Sequence, residues 1–283
     1  MNGIKILCIG DVVGAAGRAV FQKIVPTFKR QREIDCVIVN GENAAYDGRG
    51  ITDKNVHFFK HNGADVITTG NHVFGKKEIY SYFDKHTDLI RPANFPTGVP
   101  GQGITFVTTA KGDTIAVINL QGRVFMRELL NCPFRTADSL LTYAKSKTAN
   151  IIIDFHAETS AEKQAFAFYL EGKVSGIVGT HTHVQTADER ILPGGTAFMT
   201  DLGMTGSLNS MIGMKKEQVI TNFLLSMPAK FEVETAMPLV LCGAIITIDP
   251  NTGKAVAIER VRIIDTELVV TPEKPEKTSE RSA

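Results

Sequence analysis

The chain has 283 residues, 43% hydrophobic and 22% charged, with no tryptophan and a formal net charge of +1. This suffices for one large α/β domain with an ordinary core, and it excludes steering to nucleic acid or to an anionic surface by a global field. The longest nearly apolar stretch, Ala236 to Ile246, is too short to span a bilayer and is broken by Pro238. Met1 to Lys5 runs directly into an apolar strand without the layout of a signal peptide, so a cytoplasmic location and no membrane partner are expected. Cys8, Cys36 and Cys242 lie inside apolar runs and read as inert buried thiols. Cys132 lies in a loop-like stretch.

Ile4 to Ile9 reads as a first buried strand, ending in Gly10-Asp11. The helix after it carries Val20, Phe21, Ile24, Val25 and Phe28 on one stripe, and Pro26 should kink it. The strand–glycine–helix layout invites a dinucleotide-binding reading, but Val12 and Ala15 stand where the fingerprint needs its second and third glycines. Asp11 would also set a carboxylate where pyrophosphate binds. That carboxylate suits a cation; the plainer reading is a turn or helix-capping residue. Asp35 to Val39 is the second strand and delivers Glu42 and Asn43. Thr52 caps a helix on which His57 and His61 are i,i+4 neighbours, solvated and without a third ligand. Ala64 to Thr69 is the third strand and delivers Asn71 and His72. Three strands with two intervening helices predict a largely parallel sheet, with ligands bound outside the carboxyl ends of its strands.

A Pro- and Gly-rich stretch, Arg91 to Gly103, leads to a predicted hairpin, Ile104 to Thr108 and Thr114 to Leu120, around Lys111-Gly112-Asp113. Residues 121–135 have weak periodicity and can form a wall of the site. Thr136 is the expected cap of the next helix, and Asn150 to Phe155 the next strand, ending in His156-Ala157-Glu158. Ser160 caps another helix, and the apolar run Val174 to Val178 is the strand that ends in Gly179-Thr180-His181-Thr182-His183. Ala197 to Thr200 is a short strand. The loop Asp201 to Gly213 either covers substrate or is a plain connection. Lys215 to Met227 reads as a helix, and Leu239 to Ile248 with Ala255 to Ile264 as a terminal hairpin. The boundaries expected are one domain over residues 1–268, with 121–135 and 201–214 as cap or substrate wall, and a disordered polar tail over 269–283.

One design recurs five times: a β-branched run, then metal-capable or acid/base residues just past its end. The set is Asp11, Glu42, Asn43, Asn71, His156, His181 and His183. It offers two carboxylates, two amide oxygens and three imidazoles. That exceeds one tetrahedral zinc, and the lack of thiolate argues against a structural zinc. The number suits two ions sharing a carboxylate, and mixed nitrogen and oxygen ligation suits Fe, Mn or Zn. Two ions about 3.5–4 Å apart suit displacement at phosphorus by a bridging hydroxide. The alternative is an unrelated polar crevice.

Gly10-Asp11, Gly41-Glu42-Asn43, Gly70-Asn71-His72, His156 and Gly179 to His183 resemble the ordered motifs of calcineurin-like metallophosphoesterases. Val13 replaces the histidine of the usual first block, and Glu42 the usual bridging aspartate. Both departures match the bacterial YmdB-type branch, which the chain resembles over roughly residues 3–265, including Asp154 to Glu158 and Asp201 to Gly206. The resemblance implies a four-layer α/β/β/α sandwich and phosphodiesterase activity that includes 2′,3′-cyclic nucleotides. It implies a first metal on Asp11, Glu42, Asn43 and His183, a second on Glu42, Asn71, His156 and His181, and His72 as general acid. Two ions per chain follow, Fe or Mn, with Zn or Mg as further options, and a homo-oligomer. The expected partner is a small phosphodiester or nucleotide, not a long nucleic acid. A regulator that senses a nucleotide or metal at the same site is the competing reading.

Overall fold

A computed structural model describes residues 3–273. Its elements are β1 (Ile4–Ile9), β2 (Asp11–Val12), α1 (Gly14–Gln31), β3 (Cys36–Asn40), α2 (Asp53–His61), β4 (Val66–Thr68), a 3-10 turn at Lys77–Ile79 and α3 (Tyr80–Phe83). There follow β5 (Ile104–Thr108), β6 (Thr114–Gln121), α4 (Pro133–Lys145), β7 (Ile151–His156), α5 (Ser160–Leu170), β8 (Gly176–Thr180), β9 (Arg190–Ile191) and β10 (Ala197–Met199). The last are β11 (Met204–Ser207), α6 (Lys216–Leu225), β12 (Leu239–Ile248) and β13 (Ala255–Asp265).

The strands form two sheets. In the first the order is β2-β11-β12-β1-β3-β4, with β13 paired to β12. Strands β1, β3 and β4 run parallel, as their intervening helices require, while β12 lies antiparallel to β1. In the second the order is β5-β6-β7-β8-β10-β9, with β6, β7, β8 and β10 parallel.

Side chains alternate across a strand, and here both faces are covered. Leu7 and Ile9 face α1 and α2, where Val20, Phe21, Val56 and Phe59 pack on them. Ile4, Ile6 and Cys8 face the other way and join Ile115, Val117, Ile152 and Val178 of the second sheet. The far side of that sheet, Ile118, Ile153 and Phe155, packs on Leu141 of α4 and Phe166 of α5. This double coverage is why the central strands read as mostly apolar runs rather than as alternating ones.

Helix α1 holds Pro26 within its span and runs on to Gln31. Several expectations need correction. Helix α4 starts at Pro133, so Thr136 is inside it; its hydroxyl donates back to the Cys132 carbonyl. Thr159, not Ser160, caps α5, its side chain accepting from Glu162 N. The stretch from Asp201 to Gly213 contains β11, which pairs with β2 and β12. Thr52 does cap α2, in a capping box with Asn55. His57 and His61 are exposed, and His57 pairs with Asp53. Cys132 is half-buried, and the other three thiols are buried. Among the described residues no helix is long and apolar enough to cross a membrane. Of the expected tail, residues 269–273 carry no helix or strand and the rest lies outside the described residues.

Candidate metal centre

Each predicted site residue lies at or just beyond the end of a strand. Asp11 is in β2, just after β1; Glu42 and Asn43 follow β3; Asn71 and His72 follow β4; His156 ends β7; His181 and His183 follow β8. The two sheets bring them together. Glu42, His156 and His181 offer ligand atoms all within 4.8 Å of one another. Asn71 Oδ1 lies 3.0 Å from His156 Nε2. Asp11 Oδ1 lies 3.8 Å from His156 Nδ1 and 3.9 Å from His183 Nε2. Asn43 joins through its Nδ2, 3.3 Å from His72 Nδ1.

Hydrogen bonds behind the imidazoles decide which nitrogen of each faces the centre. The Thr180 hydroxyl donates its single proton to Asp154 Oδ1 at 2.7 Å, so it accepts from His156 Nδ1 at 2.8 Å. That turns Nε2 inward. His181 Nε2 lies 3.0 Å from Glu158 Oε2, which leaves Nδ1 inward, 3.0 Å from His156 Nε2. His183 Nδ1 donates to the Ile212 carbonyl at 2.8 Å, which leaves its Nε2 for the side of Asp11. Partners of this kind fix ring orientation and tautomer in metal sites. Thr180, Asp154, Glu158 and the Ile212 carbonyl were not assigned such roles from sequence. Glu158 and Asp154 lie in the block around His156, but a carboxylate two residues from a ligand has no role until its direction is known.

The residues fit a cation. His156 Nε2, His181 Nδ1, Glu42 Oε1 and Asn71 Oδ1 are electron-pair donors aimed at one another, His156 Nε2 and Glu42 Oε1 being 3.0 Å apart. Asp11 Oδ1 and Asn43 Oδ1 are buried and accept no hydrogen bond. Such orphaned acceptors are costly unless paired. The floor is backbone: a Cβ on Gly70 would sit 2.2 Å from His156 Cδ2 and 2.4 Å from Glu42 Oε2. Only glycine lets the turn after β4 pass under these two side chains.

The electrostatics agree. Burial works against the charge on His156, but the Glu42 and Asp11 carboxylates raise its pKa to about 9. Burial, then the charge of His156, pushes His181 down to about 3. Burial pushes Asp11 up against the pull of His183 and His156. Burial also opposes the charge on Glu42, yet His156 and His72 hold its carboxyl well below the usual range. The Glu42 and Asp11 carboxylates thus favour a positive charge at this point.

A family profile described as YmdB-like protein matches residues 7–261. The chain belongs to that family. It is 50% identical over 262 residues to the 2′,3′-cyclic-nucleotide 2′-phosphodiesterase of Bacillus subtilis, covering 93% of this chain and 98% of the relative. A crystal structure of a novel phosphatase from Mycoplasma pneumoniae superposes with a TM-score of 0.87 at 37% identity, covering 94% of this chain and 95% of that one. A hypothetical protein from Thermus thermophilus does so with a TM-score of 0.86 at 34% identity, over 93% of this chain and 100% of the other. The YmdB-like fold is therefore the fold of this chain over nearly its whole described length.

Proposed function

We propose that this YmdB-like protein is a metal-dependent phosphodiesterase acting on small phosphodiesters, 2′,3′-cyclic nucleotides among them. The observation that carries the reading is the convergence of Glu42, Asn71, His156 and His181 donor atoms, beside the orphaned oxygens of Asp11 and Asn43. The name of the Bacillus subtilis relative supplies the substrate class. Asp11, Glu42, Asn43 and His183 would hold one ion. Glu42, Asn71, His156 and His181 would hold the second, with Glu42 shared and Fe or Mn as the metals suited to this set. Two ions so held would supply a nucleophile at neutral pH and charge stabilisation for the phosphoryl oxygens. The four-layer α/β/β/α arrangement, with the centre at the carboxyl ends of its strands, belongs to the same reading; three separate apolar clusters support it. A homo-oligomeric assembly is part of the same proposal. Segments 121–135 and 201–214 are proposed as its substrate walls, since Gly122 N bonds the His156 carbonyl and Ile212 bonds His183.

His72 is the proposed general acid. Its backbone N–H donates to Glu42 Oε2 at 3.0 Å, and its Nδ1 lies 3.5 Å from Glu42 Oε1. The ring is one-third exposed (33%), so Nε2 can carry a proton to the departing oxygen. General acid catalysis contributes about 10²–10⁴-fold, most for a poor leaving group. A ribose alkoxide is poor, and p-nitrophenolate is a far weaker base. The test compares kcat of His72→Ala on a 2′,3′-cyclic nucleotide and on bis-p-nitrophenyl phosphate, with metal content measured in parallel. A much larger loss on the cyclic nucleotide, with metals kept, is expected. Equal losses would assign His72 to charge stabilisation, and loss of metal would make it a ligand. Wild-type turnover that needs no metal would refute the reading as a whole.

A further inference from the structure

Lys163 lies on α5, is 1% exposed, and belongs to no ligand set. Its Nζ donates to Asp201 Oδ2 at 2.6 Å, and Asp201 is equally buried. A buried ion pair is by itself weak ground for stability, because both charges leave water. This one is completed by two backbone amides. Thr182 N donates to Asp201 Oδ2 at 3.2 Å, and Gly203 N to Oδ1 at 2.8 Å. Thr182 stands between His181 and His183, whose φ angles are 102° and 65°. Left-handed backbone is strained at a residue with a β carbon, and it persists only where its surroundings hold it. Two such residues flank the amide that Asp201 receives. The His181 amide is taken in turn by Asp11 Oδ2 at 3.1 Å.

The glycine that opens this turn answers to the same contact. A Cβ on Gly179 would lie 1.8 Å from the Thr200 carbonyl oxygen and 2.9 Å from Lys163 Cδ. The lysine stem and the chain leading into Asp201 therefore pass directly over the end of β8. Lys163, Asp201 and the His-Thr-His turn form one packed unit.

We propose that the buried Lys163–Asp201 pair is a positioning device: it pins the Thr182 amide and so holds His181 and His183 in the left-handed backbone that turns both imidazoles into the centre. The lysine orients the Asp201 carboxylate, which grips the peptide between the two histidines. Both side chains are buried behind the turn, and neither belongs to the proposed ligand set.

The proposal rests on the metal-centre reading above. The experiment strips the full-length protein with a chelator and titrates Mn²⁺ into wild type, Asp201→Asn and Lys163→Met. Melting of each metal-free protein records structural loss separately. Substitutions behind metal ligands typically cost about 10–100-fold in affinity, and a rise in the Mn²⁺ dissociation constant of that order is expected in both variants. A lower melting temperature with an unchanged dissociation constant would mean an ordinary structural ion pair and would overturn the proposal. Should the variants not fold, amide hydrogen exchange in metal-free wild type decides: the Thr182 amide is expected to be strongly protected, and exchange at open-loop rates overturns the pin. Failure of wild type to take up Mn²⁺ overturns this proposal together with the centre, whereas uptake without hydrolysis refutes the proposed reaction alone.

Discussion

Removing metal should make the stability of this protein depend on pH across neutrality, through His156. In the unfolded chain this histidine titrates near 6.5, and in the folded, metal-free protein the Glu42 and Asp11 carboxylates outweigh burial and raise it to about 9. A raised folded pKa contributes stability that is fully present below 6.5 and lost as pH rises to about 9. Each tenfold change in proton affinity is worth about 1.4 kcal/mol. The interval from 6.5 to about 9 is therefore worth about 3 kcal/mol, and the ring is fully buried, so solvent screening takes little from it. The acid side is less clean. Burial raises Asp154 to about 6, so its contribution is gone by that pH, while the lowered His181 adds stability as pH climbs from about 3 to 6.5. Those two slopes oppose each other below 6.5 and leave the window from 6.5 to about 9 chiefly to His156, with the raised Asp11 carboxyl acting in the same direction and the buried thiols Cys8, Cys36 and Cys242 adding a loss only above it. The assay is urea unfolding of chelator-stripped protein at a series of pH values from 6 to 9.5. A fall of about 3 kcal/mol is expected without metal. With metal the profile is expected to be flat from 6.5 to about 8.5, because a cation takes the proton's place, and to fall only nearer 9, where the buried thiols resist ionising with or without metal. Glu42→Gln should flatten the metal-free profile too. A flat metal-free wild-type curve would refute the reasoning.

Three further outcomes follow from the same geometry. Gly70→Ala should eject metal and abolish most turnover while costing about 1–3 kcal/mol from overpacking, since its Cβ would fall 2.2–2.4 Å from His156 and Glu42; full metal content in the purified variant would contradict this. Thr180→Val removes the hydroxyl between His156 Nδ1 and Asp154 Oδ1. It should cost about 1–3 kcal/mol, the usual penalty of an unsatisfied buried group, and release the His156 tautomer. Nitrogen-15 shifts of the ring that match wild type would show that the relay does nothing. Glu42→Gln should weaken binding at both proposed metal sites and abolish most turnover, because the proposed shared ligand would lose its charge. Elemental analysis giving one tight ion in wild type, with no second on titration, would remove the dinuclear reading.

The strands around the centre were legible because both faces of each are buried. Short, mostly apolar β-branched runs such as Ile4 to Ile9, interrupted only by Lys5, and Ile151 to Phe155, interrupted only by Asp154, then read as buried strands. The capping box at Thr52 was equally local. Strand β11 was not legible: Met204-Thr205-Gly206-Ser207 has no apolar period, and its order comes from pairing with β2 and β12, both distant in sequence. Thr159 and Ser160 are adjacent hydroxyls, and only the backbone geometry chose between them.

The sequence by itself determined the chemistry on offer: which side chains stand past which strand ends, and that they are imidazoles, carboxylates and amides. Tertiary structure alone decided their direction. Thr180 turns His156, Ile212 turns His183 and Asp201 holds Thr182, across separations of 24, 29 and 19 residues. Hydrophobic periodicity reports how a segment meets a core one turn or one pleat at a time. Hydrogen bonds between separate strands and loops depend on how two sheets meet, and no local pattern carries that information.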